Sequence, residues 1–263
     1  MSMPRRLLPL LLVVAALACA PVRASTGSSE ITDMWWNPDE SGWGVNVILQ
    51  GDTAFLTFFV YDTGRIPIWY TSDAHLQGNA SPLTWTGNLY ETRGPWFGGP
   101  FAPATTSRPV GTVSFVLNEQ NAATLFYSVD GVGVTKSLER QTWRLEDFTG
   151  DYLGGYSVRN ANCTSSAQNG IEETGGFMTV TQTGAALSAV AATVAGTCTY
   201  TGSYAQYGKL GQVTGTYTCS NGVQGTFQMF EMAPTVSGFT ARIIGQNQFC
   251  DFSGTFGGIT RVP

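Results

Sequence analysis

From Trp43 onward, apolar and polar residues alternate in short runs broken by turn residues. In "WGVNVILQ" Trp43, Val45, Val47 and Leu49 oppose Gly44, Asn46, Ile48 and Gln50, a period of two that predicts a half-buried strand. "GD" at 51 and 52 is a tight hairpin turn, and "TAFLTFFVY" beyond it is a second strand rich in β-formers. "DTGR" turns the chain into "IPIWYTSD", where Pro67 removes a ladder donor and weakens the strand locally. "LTWTGNLYET", "GTVSFVLN", "AATLFYSV" and "VGVTKSLERQTW" continue the series, with "NEQN" and "DG" as turns. Between them "RGPWFGGPFAPATTSRP" repeats Gly and Pro too often for a helix or an inner strand, so it predicts a long loop carrying Trp96, Phe97 and Phe101.

Near "EDFTGDYLGG" a fresh strand begins and the composition moves toward Gly, Thr, Ala and Cys. Eight further runs follow: "GDYLGGYSVRN", "GGFMTVTQ", "ALSAVAATV", "TCTYTGSYAQY", "GQVTGTYTC", "VQGTFQMFEM", "SGFTARIIG" and "QFCDFSGTFGG". Thr and Val favour a strand over a short helix for "ALSAVAATV". Each half thus yields about eight sequential strands with hairpin-length links. The expected fold is all-β, two tandem antiparallel up-and-down meanders forming closed or nearly closed eight-stranded barrels over residues 25–148 and 149–263. Closure would remove the exposed edges of both sheets.

The first residues differ in kind. Arg5 and Arg6 precede an apolar run from Leu7 to Ala20, and Val22 and Ala24 place small residues before Ser25. This pattern predicts a signal peptide over residues 1–24, cleaved before Ser25. The alternative is lipidation at Cys19, although Leu17 and Ala16 fit a lipoprotein signal poorly. The expected location is therefore periplasmic or secreted, with an outer-membrane lipoprotein as the alternative. Cleavage would remove Arg5, Arg6 and Arg23, leaving 10 basic and 18 acidic residues and a net charge of −8. That balance argues against a nucleic-acid partner.

Four cysteines remain: Cys163, Cys198, Cys219 and Cys250. In an oxidising compartment they predict two disulfides, with three possible connectivities. Cys198 and Cys219 flank the turn around Lys209 almost symmetrically, which favours a cross-strand bridge and leaves Cys163 with Cys250. The second pair can meet only if the first and last strands of that half are neighbours, as in a closed barrel. No Cys-x-x-Cys spacing accompanies the sole histidine, His75, so neither a metal site nor a cofactor is predicted.

"WWNPDESGWG" at 35–44 contains a type I turn, "NPDE", feeding the strand at Trp43. With "QGD" at 50–52, "YDTG" at 61–64 and "PIW" at 67–69, it resembles the signature of an uncharacterised family of secreted Gram-negative bacterial β proteins. The similarity runs on through "GTVSF", "VDGVGVTKSLERQ" and "CTYTGSYAQYGKLGQVTGTYTC". It implies secretion and a β architecture and assigns no catalytic residue. A fold-level resemblance to calycin barrels, the lipocalins and avidin-like proteins, implies an N-terminal Trp closing one barrel end under an Arg from the last strand. Trp35 or Trp36 would be that plug and Arg140 or Arg144 the lid, with Tyr152 and Arg261 repeating the arrangement. The lipocalin Gly-x-Trp signature is absent, since Asp33 stands where Gly would be.

Candidate chemistry is sparse. Asp39 and Glu40 adjoin aromatic surface in the manner of a glycosidase, but adjacent residues in a turn diverge, and turn and surface roles suit both. Ser72, Asp73 and His75 lie close, but Ser72 is on no nucleophile elbow, and a loop role suits His75. All seven tryptophans lie at or before Trp143, and a barrel of this size cannot easily bury them all. The predicted ligand contacts are Trp43, Trp69, Trp85, Trp96 and Phe97, with Asn46, Gln50 and Arg65 orienting a small molecule, glycan or peptide. The alternative is a cell-envelope assembly protein or protease inhibitor acting through residues 94–101. A glycosidase-like or other hydrolase comes third.

Overall fold

The structure, a computed structural model, describes residues 28–260. The expected signal peptide, the cleavage site, Cys19 and Arg261 lie outside the described residues. The fold is two closed antiparallel barrels of eight strands each, both simple meanders. The first comprises β1 (Asp33–Trp36), β2 (Gly44–Gln50), β3 (Thr53–Tyr61), β4 (Pro67–Leu76), β5 (Leu83–Arg93), β6 (Thr106–Glu119), β7 (Ala122–Val129) and β8 (Val132–Arg140). The second comprises β9 (Gly150–Ala161), β10 (Gly170–Thr183), β11 (Ala186–Thr193), β12 (Gly196–Tyr207), β13 (Leu210–Cys219), β14 (Gln224–Thr235), β15 (Gly238–Asn247) and β16 (Asp251–Thr260). No helix among the described residues is long and apolar enough to cross a membrane.

Sequence patterning missed two kinds of boundary. The first barrel is closed by β1, whose Trp35 and Trp36 pair with Arg140 and Glu139 while its other edge pairs with β2; four residues are too few to display a period. β6 also begins earlier than expected, at Thr106, because Pro109 falls at a bulge opposite Tyr90, where no ladder donor is required. Pro67 is likewise the first residue of its strand.

Each barrel is stoppered at the start of its first strand. Trp35 is fully buried and donates its indole N–H to the Ile31 carbonyl at 2.9 Å. The Arg140 guanidinium, 3% exposed, lies 4.5 Å from that ring. Its donors reach the Gln120 carbonyl at 2.5 Å, Asp33 Oδ2 at 3.2 Å and the Glu30 carbonyl. Arg144, the other candidate lid, is exposed and pairs with Glu146. In the second barrel the Tyr152 hydroxyl donates to the Phe148 carbonyl, again four residues back, at 2.9 Å. The intervening threonines match as well: Thr32 Oγ1 accepts from the Leu49 amide and Thr149 Oγ1 from that of Gln182. Phe148 packs edge-on against Tyr204 and Phe239, so the second core begins just before residue 149.

The plug end of the first barrel meets the second. Asp33 Oδ2 also accepts from the Lys209 amide at 3.0 Å, and the Gly208 amide donates to Thr142. Gly208 has φ of +60°, and a Cβ there would lie 2.1 Å from Asp33 Oδ2, so only glycine fits. At a bulge in β14, Glu231 takes hydrogen bonds from the Ser28 hydroxyl and the amides of Ser29 and Glu30. Disulfides join Cys163 to Cys250 and Cys198 to Cys219, both in the second barrel. Two such bonds indicate an oxidising, extracytoplasmic compartment.

Candidate binding face of the first barrel

Strand alternation determines which rings reach solvent. In β3, Ala54, Leu56 and Phe58 point into the core, while Phe55, Phe59 and Tyr61 are exposed. In β4, Tyr70, Ser72 and Ala74 are buried and Trp69 lies on the outer face. Phe59 and Trp69 are direct cross-strand partners, 46% and 56% exposed. On the other flank Phe59 faces Gly44, which offers no side chain to cover it. The Trp69 indole N–H reaches the Thr92 carbonyl at 3.3 Å and the Tyr61 hydroxyl reaches the Gly42 carbonyl at 3.0 Å, so both rings are anchored at their edges. Fixed aromatic side chains lose little conformational entropy when a ligand lands on them.

These rings border a shallow groove of about 510 Å³ at the rim of the barrel, shared with Ile66, Glu91 and Arg93. Glu91 accepts from Arg93 Nε at 2.7 Å and from Arg108 Nη2 at 2.7 Å, and Arg108 grips Asp130 with two further bonds. Arg108, and behind it Arg93, hold the Glu91 carboxyl below the usual carboxylate range, and Arg108 does the same to Asp130. The groove therefore has an aromatic wall and a charged wall whose ions are already paired. Arg65 is not among the groove's lining residues; it sits on the turn between β3 and β4, next to Ile66, with φ of +63°, and its guanidinium has no partner among the described residues. Asn46 lies on the same outer face, one row from Phe59, in register with Thr57.

Directly after Arg93 the loop at 94–105 projects Trp96, Phe97 and Phe101, with Phe97 95% exposed. Trp96 folds over Gly98, where a Cβ would lie 2.5 Å from the indole. The Trp96 and Phe97 rings are 5.7 Å apart.

Two predicted contacts lie elsewhere. Trp85 points inward from β5, is 1% exposed, and meets Phe115 in the core, so it is a packing residue and not the ligand contact expected. Trp43 packs partly against the first core, donates to Glu40 Oε2 at 3.0 Å, and lies under Lys136, whose ammonium is 5.6 Å from the ring. It is clamped to the barrel end and not part of the groove. Phe59, Tyr61, Glu91 and Arg93 escaped sequence reasoning. The signal for the aromatics was present: "TAFLTFFVY" puts large apolar residues on both parities, more than one buried face can use.

The hydrolytic readings find no geometry. Glu40 is held by Lys136 at 2.7 Å, which keeps its carboxyl below the usual range, while Asp39 is exposed. Ser72 faces the core, and Asp73 and His75 are on the exposed side. The His75 ring bonds Thr53 at 3.1 Å. Among the described residues no three His, Cys, Asp or Glu side chains converge on a metal position. No protein-family model matches the chain, and no curated protein matches it either.

Proposed function

We propose that this is a periplasmic or secreted, non-enzymatic binding protein that holds a glycan on the outer face of its first barrel. The observation that carries this reading is the exposed, edge-anchored Phe59–Trp69 pair, extended by Tyr61 along the groove. A sugar ring presents a flat apolar C–H face that stacks on such rings, while its hydroxyls take hydrogen bonds at the perimeter. Arg65, on the turn before Ile66, and Asn46, on the same outer face one row from Phe59, supply free polar groups beyond the groove's own lining, and the shallow shape suits a chain lying across it better than a small apolar molecule needing enclosure. Rigid strands leave little to reorganise on binding.

The exposed Phe97 favours a second reading, an envelope protein engaging another protein through residues 94–101. Titrating glycans while following tryptophan emission tests the first. Trp69→Ala is expected to weaken glycan binding at least about tenfold, or about 1.4 kcal/mol. Silence across a glycan panel, or full binding by the variant, sinks the glycan reading. Loss of a protein partner on replacing Trp96 and Phe97 by alanine, with glycan binding intact, would establish the second.

A further inference from the structure

The second barrel is packed beside its Phe148 plug and open at the other end, where its interior holds a cavity of about 450 Å³. Tyr156, Tyr200, Tyr217, Phe252 and Phe256 line it. Tyr200 and Tyr217 stack at 5.3 Å, with Phe256 set edge-on to the first at 5.8 Å and Phe252 edge-on to the second at 6.0 Å. Gly154 of β9 also lines it; a Cβ there would lie 2.1 Å from the Gly257 carbonyl oxygen, so the glycine is what lets β9 and β16 approach at the cavity wall. The connection from β9 to β10 borders the mouth with Gln168 and Asn169. Cys163–Cys250 and a 2.7 Å bond from the Thr164 amide to the Phe249 carbonyl tether that segment.

One polar group facing this space has no protein partner: the Tyr200 hydroxyl, on a residue 5% exposed, makes no hydrogen bond among the described residues. A buried hydroxyl left so is costly, and a guest that bonds it recovers that cost.

The charge of the lining is one-sided. It contains Glu172 and no Lys, Arg or His. The Glu172 oxygens accept from the Tyr156 hydroxyl at 2.7 Å and from Asn160 Nδ2 at 2.8 Å, which fixes the carboxylate at the mouth with no cation beside it among the described residues. Aromatic faces carry the negative side of the ring quadrupole, so walls and carboxylate favour the same sign of guest. We propose that this cavity is a second binding site for a small apolar cation, a protonated arylalkylamine or a quaternary ammonium whose charge lies beside Glu172 and whose body fills the tyrosine-walled space. Burial pushes the Tyr200 and Tyr156 phenols up, and the bond to Glu172 pushes Tyr156 further, so both rings stay neutral.

Calorimetry on the full mature protein with three probes of similar size tests this: benzyltrimethylammonium, its uncharged carbon analogue neopentylbenzene, and the anion phenylacetate. The cation should bind at least about tenfold tighter than the hydrocarbon, and phenylacetate should not bind. Glu172→Gln should erase most of the cation's advantage and leave the hydrocarbon unchanged. Ala191→Phe, which fills the cavity, should remove both, with a thermal melt confirming that the variant is folded. Tryptophan emission should not respond, because no tryptophan lies beyond Trp143; that silence separates this site from the outer face of the first barrel. Equal affinity for cation and hydrocarbon, binding of phenylacetate, failure of every probe, or an unchanged Glu172→Gln variant would each overturn the proposal.

Discussion

The two barrels share strand number, meander order and an aromatic plug bonded four residues back, yet they are filled and fastened in opposite ways. Inside the first, Trp35, Trp85, Phe58 and Phe115 occupy the interior, and the rings left over face outward. In the second, inward glycines alternate with tyrosines along β9, no tryptophan is present, and one end stays hollow. The first is fastened by charge, with Arg140 over the plug and Glu91, Arg108 and Asp130 at the rim. The second has two disulfides and a tyrosine cluster. A closed eight-stranded sheet thus fixes a wall and leaves its contents free, so side-chain size decides whether it presents an outer face or an inner cavity.

Breaking the plug of the first barrel should have the largest effect. Arg140→Ala removes a buried guanidinium and leaves Asp33 and two carbonyls short of a donor, an expected loss of about 3–5 kcal/mol. Urea unfolding followed by tryptophan emission, which comes from the first half alone, checks it. The matched change in the second barrel, Tyr152→Phe, deletes one hydrogen bond and keeps the ring, so about 1 kcal/mol is expected. Similar losses from the two changes would mean that the plugs do equal work and that the charge is incidental.

Next in size is the disulfide contrast. Replacing Cys163 and Cys250 by serine opens a cross-link spanning 87 residues and should cost the second barrel about 2–4 kcal/mol. Tryptophan emission should report little of this, because every tryptophan belongs to the first half, while tyrosine emission and far-ultraviolet circular dichroism should report all of it. A tryptophan-detected transition that shifts equally would show that the junction through Asp33, Gly208 and Glu231 makes the barrels unfold as one.

How much of this was legible in the sequence follows from what alternation encodes. Period two reports which residues share a face, and it recovered "TAFLTFFVY" and "AATLFYSV" to the residue as β3 and β7. It does not report which large residues will find space inside. Trp69 and Trp85 read alike, but Trp85 shares the inner face with Phe115 and Trp69 shares the outer face with Phe59. The cysteine argument worked because two pairings could be judged from hairpin symmetry and barrel closure alone. The Glu91, Arg108 and Asp130 chain was invisible because its members come from β5, β6 and the turn after β7, and only cross-strand register brings them together. The cavity was hidden for the same reason, since its lining comes from strands throughout the second half.

The smallest expected effect is the response to acid, which should fall on one barrel. Glu91, Asp130 and Glu40 are all in the first half and all have carboxyls held below their ordinary range by Arg108, Arg93 or Lys136. A carboxyl depressed in the folded state binds its proton less readily there than in the unfolded chain. Its stabilisation is therefore complete above the ordinary carboxylate range and is lost as pH falls through the lower folded values. The second barrel's perturbed groups are mainly phenols pushed upward, Tyr204 to about 12, and they remain protonated through this acid window. Lowering the pH from 7 to 3 should thus weaken the tryptophan-detected transition more than the tyrosine-detected one. Glu91→Gln should lower stability at pH 7 and flatten the acid response. The ion pairs are partly solvated, so each change should be modest and should shrink in high salt. A second barrel that loses stability first on acidification would place the acid-labile contacts in the wrong half of the molecule.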